Sequence, residues 1–328
     1  MNIAIDVMSG DNAPFEIIRG ACSAAKKHLD KTFTLVGDEE VIKNYFSQDK
    51  FSYSNIQVLK ATQVLTMEDD PMSVMKEKND SSMAVGLKAL ADNKADAFLC
   101  AGNTGALHVG STLIVRKIKG IRRSAIATII PFNPPILMLD SGANTDITPD
   151  ILNQWAILGS IYMSNMYNVE NPRVGLLNNG TEEHKGTEIL QKAYKLLKSN
   201  DSINFVGNIE SKSLPTSPCD VLITDGFTGN ITLKMIEGMG KFFLKSLKGI
   251  FLKNFSTKLS YLMVKNDFNE FKNTFDASAY GGAPILGLSK PVIKAHGSSK
   301  EKDIISAVEQ AIIYVESDII SKVTEELK

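Results

Sequence analysis

Short, nearly unbroken apolar runs alternate along this chain with longer stretches whose apolar residues recur at helical spacing. Residues 2–7 (Asn-Ile-Ala-Ile-Asp-Val), 33–37, 56–59, 96–100, 125–130, 136–139, 174–177, 203–206 and 221–224 read as strands. Helical periodicity runs from Pro14 to about residue 29, over 81–90, from Pro149 through Trp155, and over a closing amphipathic stretch at 304–323. An acidic start at 38–40 opens another helix. Strands covered on both faces show continuous rather than alternating hydrophobicity. Strands separated by helices imply βαβ units and a mainly parallel sheet. No internal repeat and no Ser/Gly linker cuts the chain. One large α/β domain over 1–328 is therefore expected, with a protruding helical segment at about 241–275.

The chemistry gathers where the strands stop. In open α/β sheets, ligands bind at the carboxyl ends of strands. Here those ends read Asp6-Val7-Met8-Ser9-Gly10-Asp11, Gly102-Asn103-Thr104-Gly105, Asp140-Ser141-Gly142-Ala143-Asn144, Asn178-Asn179-Gly180-Thr181-Glu182-Glu183-His184-Lys185-Gly186 and Asp225-Gly226-Phe227-Thr228-Gly229-Asn230, with Lys294-Ala295-His296-Gly297-Ser298-Ser299 near the end. Glycine lets backbone approach a ligand, and a following helix start offers unpaired N–H groups, which together suit an anion such as phosphate. For any one loop a capped turn is the plainer explanation. Several such loops on one sheet edge weaken it.

Named motifs are missing. There is no G-x-x-x-x-G-K-[ST] and no G-x-G-x-x-G after the first strand. Neither G-x-S-x-G nor H-E-x-x-H occurs. The four histidines (His28, His108, His184, His296) lack paired metal spacing, so neither a metal nor a cofactor is expected. Of these, His28 reads as a surface helix residue and His108 as structural, leaving His184 and His296 in the polar loops.

Composition narrows the class. Lys+Arg is 36 and Asp+Glu is 37, so the net charge of −1 lacks the basic footprint of a nucleic-acid binder. No apolar run of about 18 residues is long enough to span a bilayer. The start Met1-Asn2-Ile3-Ala4-Ile5-Asp6 does not read as a signal peptide. Cys22, Cys100 and Cys219 are far apart in apolar settings, which fits a reducing cytoplasm. Residues 241–265 interleave Phe242, Phe251 and Phe255 with Lys248 and Lys253 and contain no acid. Such a stretch suits an interfacial helix on anionic lipid, a core-packing helix with a solvated basic face, or a dimer interface. The densest basic run is Arg116-Lys117-Ile118-Lys119-Gly120-Ile121-Arg122-Arg123. Its plain reading is a solvated helix C-terminus complementing the dipole.

Taken in order, Asp6-Val-Met-Ser-Gly-Asp11, Ala101-Gly-Asn-Thr-Gly-Ala106, Gly175-Leu-Leu-Asn178 with Gly180-Thr-Glu-Glu and Lys185-Gly186, Thr224-Asp-Gly-Phe-Thr-Gly-Asn230, Tyr280-Gly-Gly-Ala-Pro284 and Lys294-Ala-His-Gly-Ser-Ser299 resemble the bacterial phosphate acyltransferases of phospholipid synthesis. Ser9 and Asn12 depart from that pattern, where Gly and His are commoner. The resemblance implies a Rossmann-like α/β/α sandwich related to isocitrate dehydrogenase and phosphotransacetylase, and a homodimer. It implies reversible transfer of an acyl chain from acyl carrier protein to inorganic phosphate. A membrane acyltransferase then uses the acyl phosphate on glycerol 3-phosphate. It also moves the protein to a cytoplasmic, peripherally membrane-bound location, with residues 241–265 on an anionic membrane surface. Residues Arg116, Lys117, Lys119, Arg122 and Arg123 become a contact for the acidic carrier protein.

Phosphate is itself a competent nucleophile and a thiolate leaves readily, so the reaction needs no Ser or Cys nucleophile. Positioning and charge stabilisation remain. On the resemblance, Lys185 is the phosphate cation, and Asp225 accepts the proton or orients Lys185. Asp6, Gly10, Asn103, Thr104, Gly105, Asn178, Thr181, Gly226, Thr228, Asn230, His296 and Ser298 are the expected phosphate- and substrate-binding residues. The competing functions are a phosphotransacetylase-like enzyme using acyl-CoA, and a non-catalytic membrane-associated scaffold, which would have no need of the polar strand ends.

Overall fold

The computed structural model describes residues 1–48, 54–273 and 280–327. In chain order the first elements are β1 (Asn2–Asp6), α1 (Phe15–Lys27), β2 (Thr32–Gly37), α2 (Glu39–Gln48), β3 (Ile56–Lys60), α3 (Ser82–Ala91), β4 (Ala97–Cys100), α4 (Thr104–Gly110), β5 (Ala125–Ile130) and β6 (Ile136–Leu139). Then follow α5 (Pro149–Tyr167), β7 (Arg173–Asn178), α6 (Glu188–Lys198), β8 (Asn204–Glu210), β9 (Val221–Ile223), α7 (Gly226–Phe251), α8 (Phe255–Asn273), β10 (Ala283–Leu286), β11 (Val292–Lys294), α9 (Glu301–Glu316) and α10 (Ile319–Glu326). Of the expected segment at 241–275, residues 274 and 275 lie outside the described residues.

The chain forms two compact units, Met1–Thr128 with Ile161–Glu170 and Tyr280–Lys328, and Ile129–Ser160 with Asn171–Ala279. The path crosses from one to the other inside β5 and inside α5, which is why no linker marks the division in the sequence.

In the first unit the strand order is β3-β2-β1-β4-β11-β10-β5. β1 pairs in parallel with β2 and β4, and β11 in parallel with β4. Residues Ile3, Ala4, Ile5 and Asp6 are all fully buried, so both faces of β1 are covered. Helix α3 comes so close to β4 that a Cβ on Gly86 would sit 2.1 Å from the Phe98 ring. In the second unit the order is β6-β9-β7-β8, all parallel. Its core joins Ile136, Met138, Leu177, Leu214, Cys219 and Leu222, with Leu233 and Ile236 of α7 packed against it. Mainly parallel strands with covering helices are what the apolar runs call for.

Four features depart from the sequence reading. Strands β10 and β11 were not expected; they are four and three residues long, one contains Pro284, and β10 runs antiparallel to both β11 and β5. The closing helix is two helices, broken at Asp318, which takes a left-handed φ of 51°. The apolar spacing runs on through this break, while Ser317 and Asp318 favour local turns. β8 starts later and runs longer than expected, with Gly207 at φ 99° and a register shift where it meets β7. The basic run 116–123 is a helix end only at its start: Arg116 caps the π-helical stretch Ser111–Val115 that continues α4, and beyond it Ile118 N donates to Gly287 O at 3.0 Å and Ser289 N to Arg116 O at 2.9 Å, giving an extended connection.

Replacing Gly86 by Ala forces α3 or Phe98 to shift. The expected result is a loss of about 1–3 kcal/mol, read as a lower urea midpoint at unchanged slope.

Candidate active site

In the first unit, the polar segment after β1 is tied to the loop after β11. Asp11 N donates to Gly297 O at 2.8 Å, and Asn12 Nδ2 to Ser298 O at 2.9 Å and Ser299 O at 3.2 Å. Gly10 has φ 115°, and a Cβ there would meet Ala101 Cβ at 3.0 Å and Gly297 O at 3.2 Å. These contacts bring the ends of β1, β4 and β11 together. Asp6, Gly10, Asn103, Thr104, Gly105, His296 and Ser298 all lie on them.

Their side chains do different things. Asp6 is fully buried and accepts from Met8 N at 3.0 Å and from the Cys100 thiol at 3.2 Å. Burial pushes its carboxyl up, against the pull of Ser82, Ser9, Cys100 and the Met8 N–H. The Ser9 and Ser82 hydroxyls are near enough to lower it yet have no aligned hydrogen bond. Burial likewise raises the Cys100 thiol and lowers the Lys294 ammonium. Asn103 caps α4, its Oδ1 accepting from Ala106 N at 3.0 Å, while Nδ2 points to the carbonyls of Thr66, Met67 and Asp69 at 3.4, 3.1 and 3.2 Å. Its amide is committed to building the loop, so it offers no spare donor to phosphate in this arrangement. Thr104, His296 and Ser298 are exposed. His296 Nδ1 accepts from Ser298 N at 3.2 Å, which places the ring proton on Nε2. Gly105 is half-buried, and a Cβ there would lie 3.0 Å from Pro71.

In the second unit, two buried amides shape the loop that carries Lys185. Asn178 Nδ2 donates to Asn208 Oδ1 and to Lys185 O, both at 3.1 Å, and its Oδ1 accepts from Asn179 N at 2.8 Å. Asn208 Nδ2 donates to Glu182 O at 2.9 Å. Lys185 N closes the turn onto Glu182 O at 3.1 Å. The Lys185 side chain is half-buried, and its ammonium makes no hydrogen bond or ion pair among the described residues. Glu182 sits below the usual carboxylate range, first through its own backbone N–H, with Lys185 and His184 adding to the effect. Thr181 is exposed.

The other corner of that unit is built on Asp140. Its buried carboxylate accepts from Gly142 N, Ala143 N, Asn144 N and Asn144 Nδ2 at 2.7–3.1 Å. The loop so folded receives the start of α7, where Gly226 N donates to Asn144 O at 2.7 Å. A Cβ on Gly226 would lie 2.8 Å from Asn144 backbone atoms, so only glycine permits the approach. Asp225 is the N-cap of α7, its Oδ1 accepting from Thr228 N at 2.8 Å. Thr228 and Asn230 are exposed, the latter beside Gly142.

Sequence reasoning did not assign Asp140, Asn144, Asn208 or Lys294. Lys294 left a signal, a lysine directly after the apolar pair Val292-Ile293. Asn208 left none, since it lies inside an irregular strand. Among the described residues, no group of three or more His, Cys, Asp and Glu is placed to hold a metal, and no helix is long and apolar enough to cross a membrane.

A family model described as "Fatty acid synthesis protein" matches residues 1–322. A phosphate acyltransferase of Thermoanaerobacter pseudethanolicus is 41% identical over 329 residues, covering 100% of this chain and 98% of that protein. One from Acetivibrio thermocellus is 43% identical over 327 residues, covering 99% and 96%. Among solved structures, a phosphotransacetylase from Streptococcus pyogenes superposes with TM-score 0.65 at 15% identity, over 96% of this chain and 94% of that one. A branched-chain phosphotransacylase from Enterococcus faecalis gives TM-score 0.54 at 12% identity, over 96% and 99%. These two likenesses are likenesses of fold.

Asp69 holds the 66–69 turn whose carbonyls receive Asn103. The Lys78 ammonium at 2.6 Å, with Thr66 N at 2.6 Å and Thr66 Oγ1 at 2.8 Å, pulls its carboxyl down to about 2. A depressed carboxylate pKa stabilises above the unfolded value near 3.8 and loses that effect as pH falls through about 2. A carboxyl-carbon NMR titration should find the Asp69 midpoint near 2, and Asp69→Asn should remove the acid-sensitive step at this turn.

Proposed function

This chain belongs to the fatty acid synthesis protein family, alongside the phosphate acyltransferases it matches end to end, and on that premise we propose that it transfers an acyl chain from acyl carrier protein to inorganic phosphate. It is an acyltransferase, and the transfer is reversible. The product, acyl phosphate, opens glycerophospholipid synthesis and is consumed by a membrane glycerol-3-phosphate acyltransferase. The observation that carries this reading is Lys185: a half-buried ammonium, without a hydrogen bond or ion pair among the described residues, on a loop locked by Asn178 and Asn208.

A cation held this way suits a phosphate dianion, and preorganised charge is the main aid this reaction needs. A phosphate oxygen attacks the thioester carbonyl, forming a C–O bond. The tetrahedral oxyanion collapses and the C–S bond breaks. The proton lost by phosphate ends on the carrier's thiolate. Phosphate is largely ionised near neutral pH, as is a phosphoserine with its second pKa of about 6, so a weak base suffices. Asp225 supplies one: Oδ1 caps α7, while Oδ2 has no protein partner among the described residues. Thr181, Gly226, Thr228 and Asn230 in the second unit, and Gly10, Thr104, Gly105, His296 and Ser298 in the first, supply donors or close backbone approach for substrate. Asp6, Asn103 and Asn178 act by holding their loops.

Arg116, Lys119, Arg122 and Arg123 are exposed and Lys117 is half-buried. This basic stretch suits an acidic carrier protein, whose encounter it would steer. On α7, α8 and the turn between them, Phe242 is 61% and Phe255 83% exposed, and Lys248 and Lys253 are exposed. Phe251 packs on Tyr261 and Phe268, with ring centroids 5.4 and 5.8 Å apart. Exposed aromatics among lysines support peripheral docking on an anionic membrane of the cytoplasmic side, where the long-chain product is used. The enzyme is read as working as a homodimer.

Two measurements check this. Lys185→Ala should cut acyl phosphate formation by roughly 10³-fold with circular dichroism unchanged, and acyl-carrier-protein should outperform acyl-CoA as donor in the wild type. Reversing Lys248 and Lys253 to Glu should weaken co-sedimentation with anionic vesicles; unchanged binding would assign these helices to protein packing.

A further inference from the structure

Lys294 ends β11 in the first unit and is only 8% exposed. Its ammonium donates to two neutral acceptors, Ala101 O at 3.3 Å and Ala295 O. An ammonium carries three donor hydrogens. One N–H is therefore left without a partner among the described residues, and no carboxylate there forms an ion pair with it. The groups whose charge reaches it are the Cys100 thiol and, after it, Asp11, an exposed side chain on the loop after β1. The neighbouring Cys100 thiol donates elsewhere, to Asp6.

Buried charges are normally paired. A neutral amide could bridge the same two carbonyls without taking a charge out of water, so the charge itself is what calls for an anion. The setting suits one. Backbone from three loops converges at Gly10, Ala101 and Gly297, where a Cβ on Gly10 would not fit without adjustment. Exposed Ser298 and His296 follow Lys294 on the same loop.

We propose that Lys294 is an anion-binding residue of this enzyme, its third N–H taking an oxygen of a phosphate group during turnover. The proposal rests on the acyl phosphate reading above. That reaction offers two phosphate groups: inorganic phosphate, and the phosphate ester in the thiol arm of the acyl carrier. Either would restore the missing charge partner, and charge-assisted bonds of this kind are short and strong.

The test is steady-state kinetics of the wild type and Lys294→Met, with inorganic phosphate and acyl carrier protein varied separately. Loss of a ground-state contact raises KM for the ligand that made it. The expected result is a rise of about tenfold or more in one KM, with the other changed by less than about twofold; which KM rises identifies the source. A fall in kcat with both KM values unchanged would overturn the proposal. Should Lys294→Met fail to fold, lysine 15Nζ spectra of the wild type decide, with the Lys294 signal assigned by its loss in Lys294→Arg. Movement of that signal on adding inorganic phosphate or the acyl carrier supports the proposal, and no movement with either overturns it. Wild-type enzyme that makes no acyl phosphate would instead overturn the reading beneath it.

Discussion

Parallel strands covered on both faces end in a place where polar backbone and side chains have little water to turn to. Most groups buried there have a protein partner, the Ser9 and Ser82 hydroxyls being exceptions, and that requirement shapes the strand-end loops. The Asp140 carboxylate gathers three consecutive backbone N–H groups and the Asn144 amide. Asn178 and Asn208 clamp the turn that carries Lys185. Asn103 draws three carbonyls of the 66–69 segment onto the start of α4. Remove such a partner and the buried group left behind costs about 1–3 kcal/mol, enough to reshape a loop.

Saturation on this scale makes the exceptions informative. Among the described residues, no protein group takes up the spare donor capacity of the Lys185 and Lys294 ammoniums. Each sits on a loop whose own backbone is firmly held. A cation with spare hydrogens on a fixed loop is preorganised for a ligand, since the ordering entropy has been met by folding.

The α/β character was legible because buried strands announce themselves as apolar runs, and nine of the eleven strands among the described residues were found that way. β10 and β11 escaped because three or four residues carry too little periodicity, and their pairings with β5 and β4 are long-range. The break at Asp318 escaped because hydrophobic spacing reports which face is buried and is blind to one left-handed residue. At the site, the glycine- and amide-rich strand ends could be read directly. What could not be read was which amides build and which could bind. Asn103 and Asn178 look like donors in sequence, and only their carbonyl and amide partners reveal them as scaffolding. The apolar pair before Lys294 hinted at its place, but its burial depends on contacts with residues almost 200 positions away.

Helix α7 starts at the Asp225 cap and runs unbroken to Phe251, 26 residues. At 1.5 Å per residue that is a rod of about 39 Å. Its first turns, at Leu233 and Ile236, are gripped by the core of the second unit, while Phe242 and Ile250 farther along are bare. Such a rod is a lever with a short clamped arm. Phe251 lies about 23 Å beyond Ile236, so a tilt of ten degrees at the clamp would sweep the tip through about 4 Å, and the shorter arm on the other side of the clamp ends at the turn that holds Asp225.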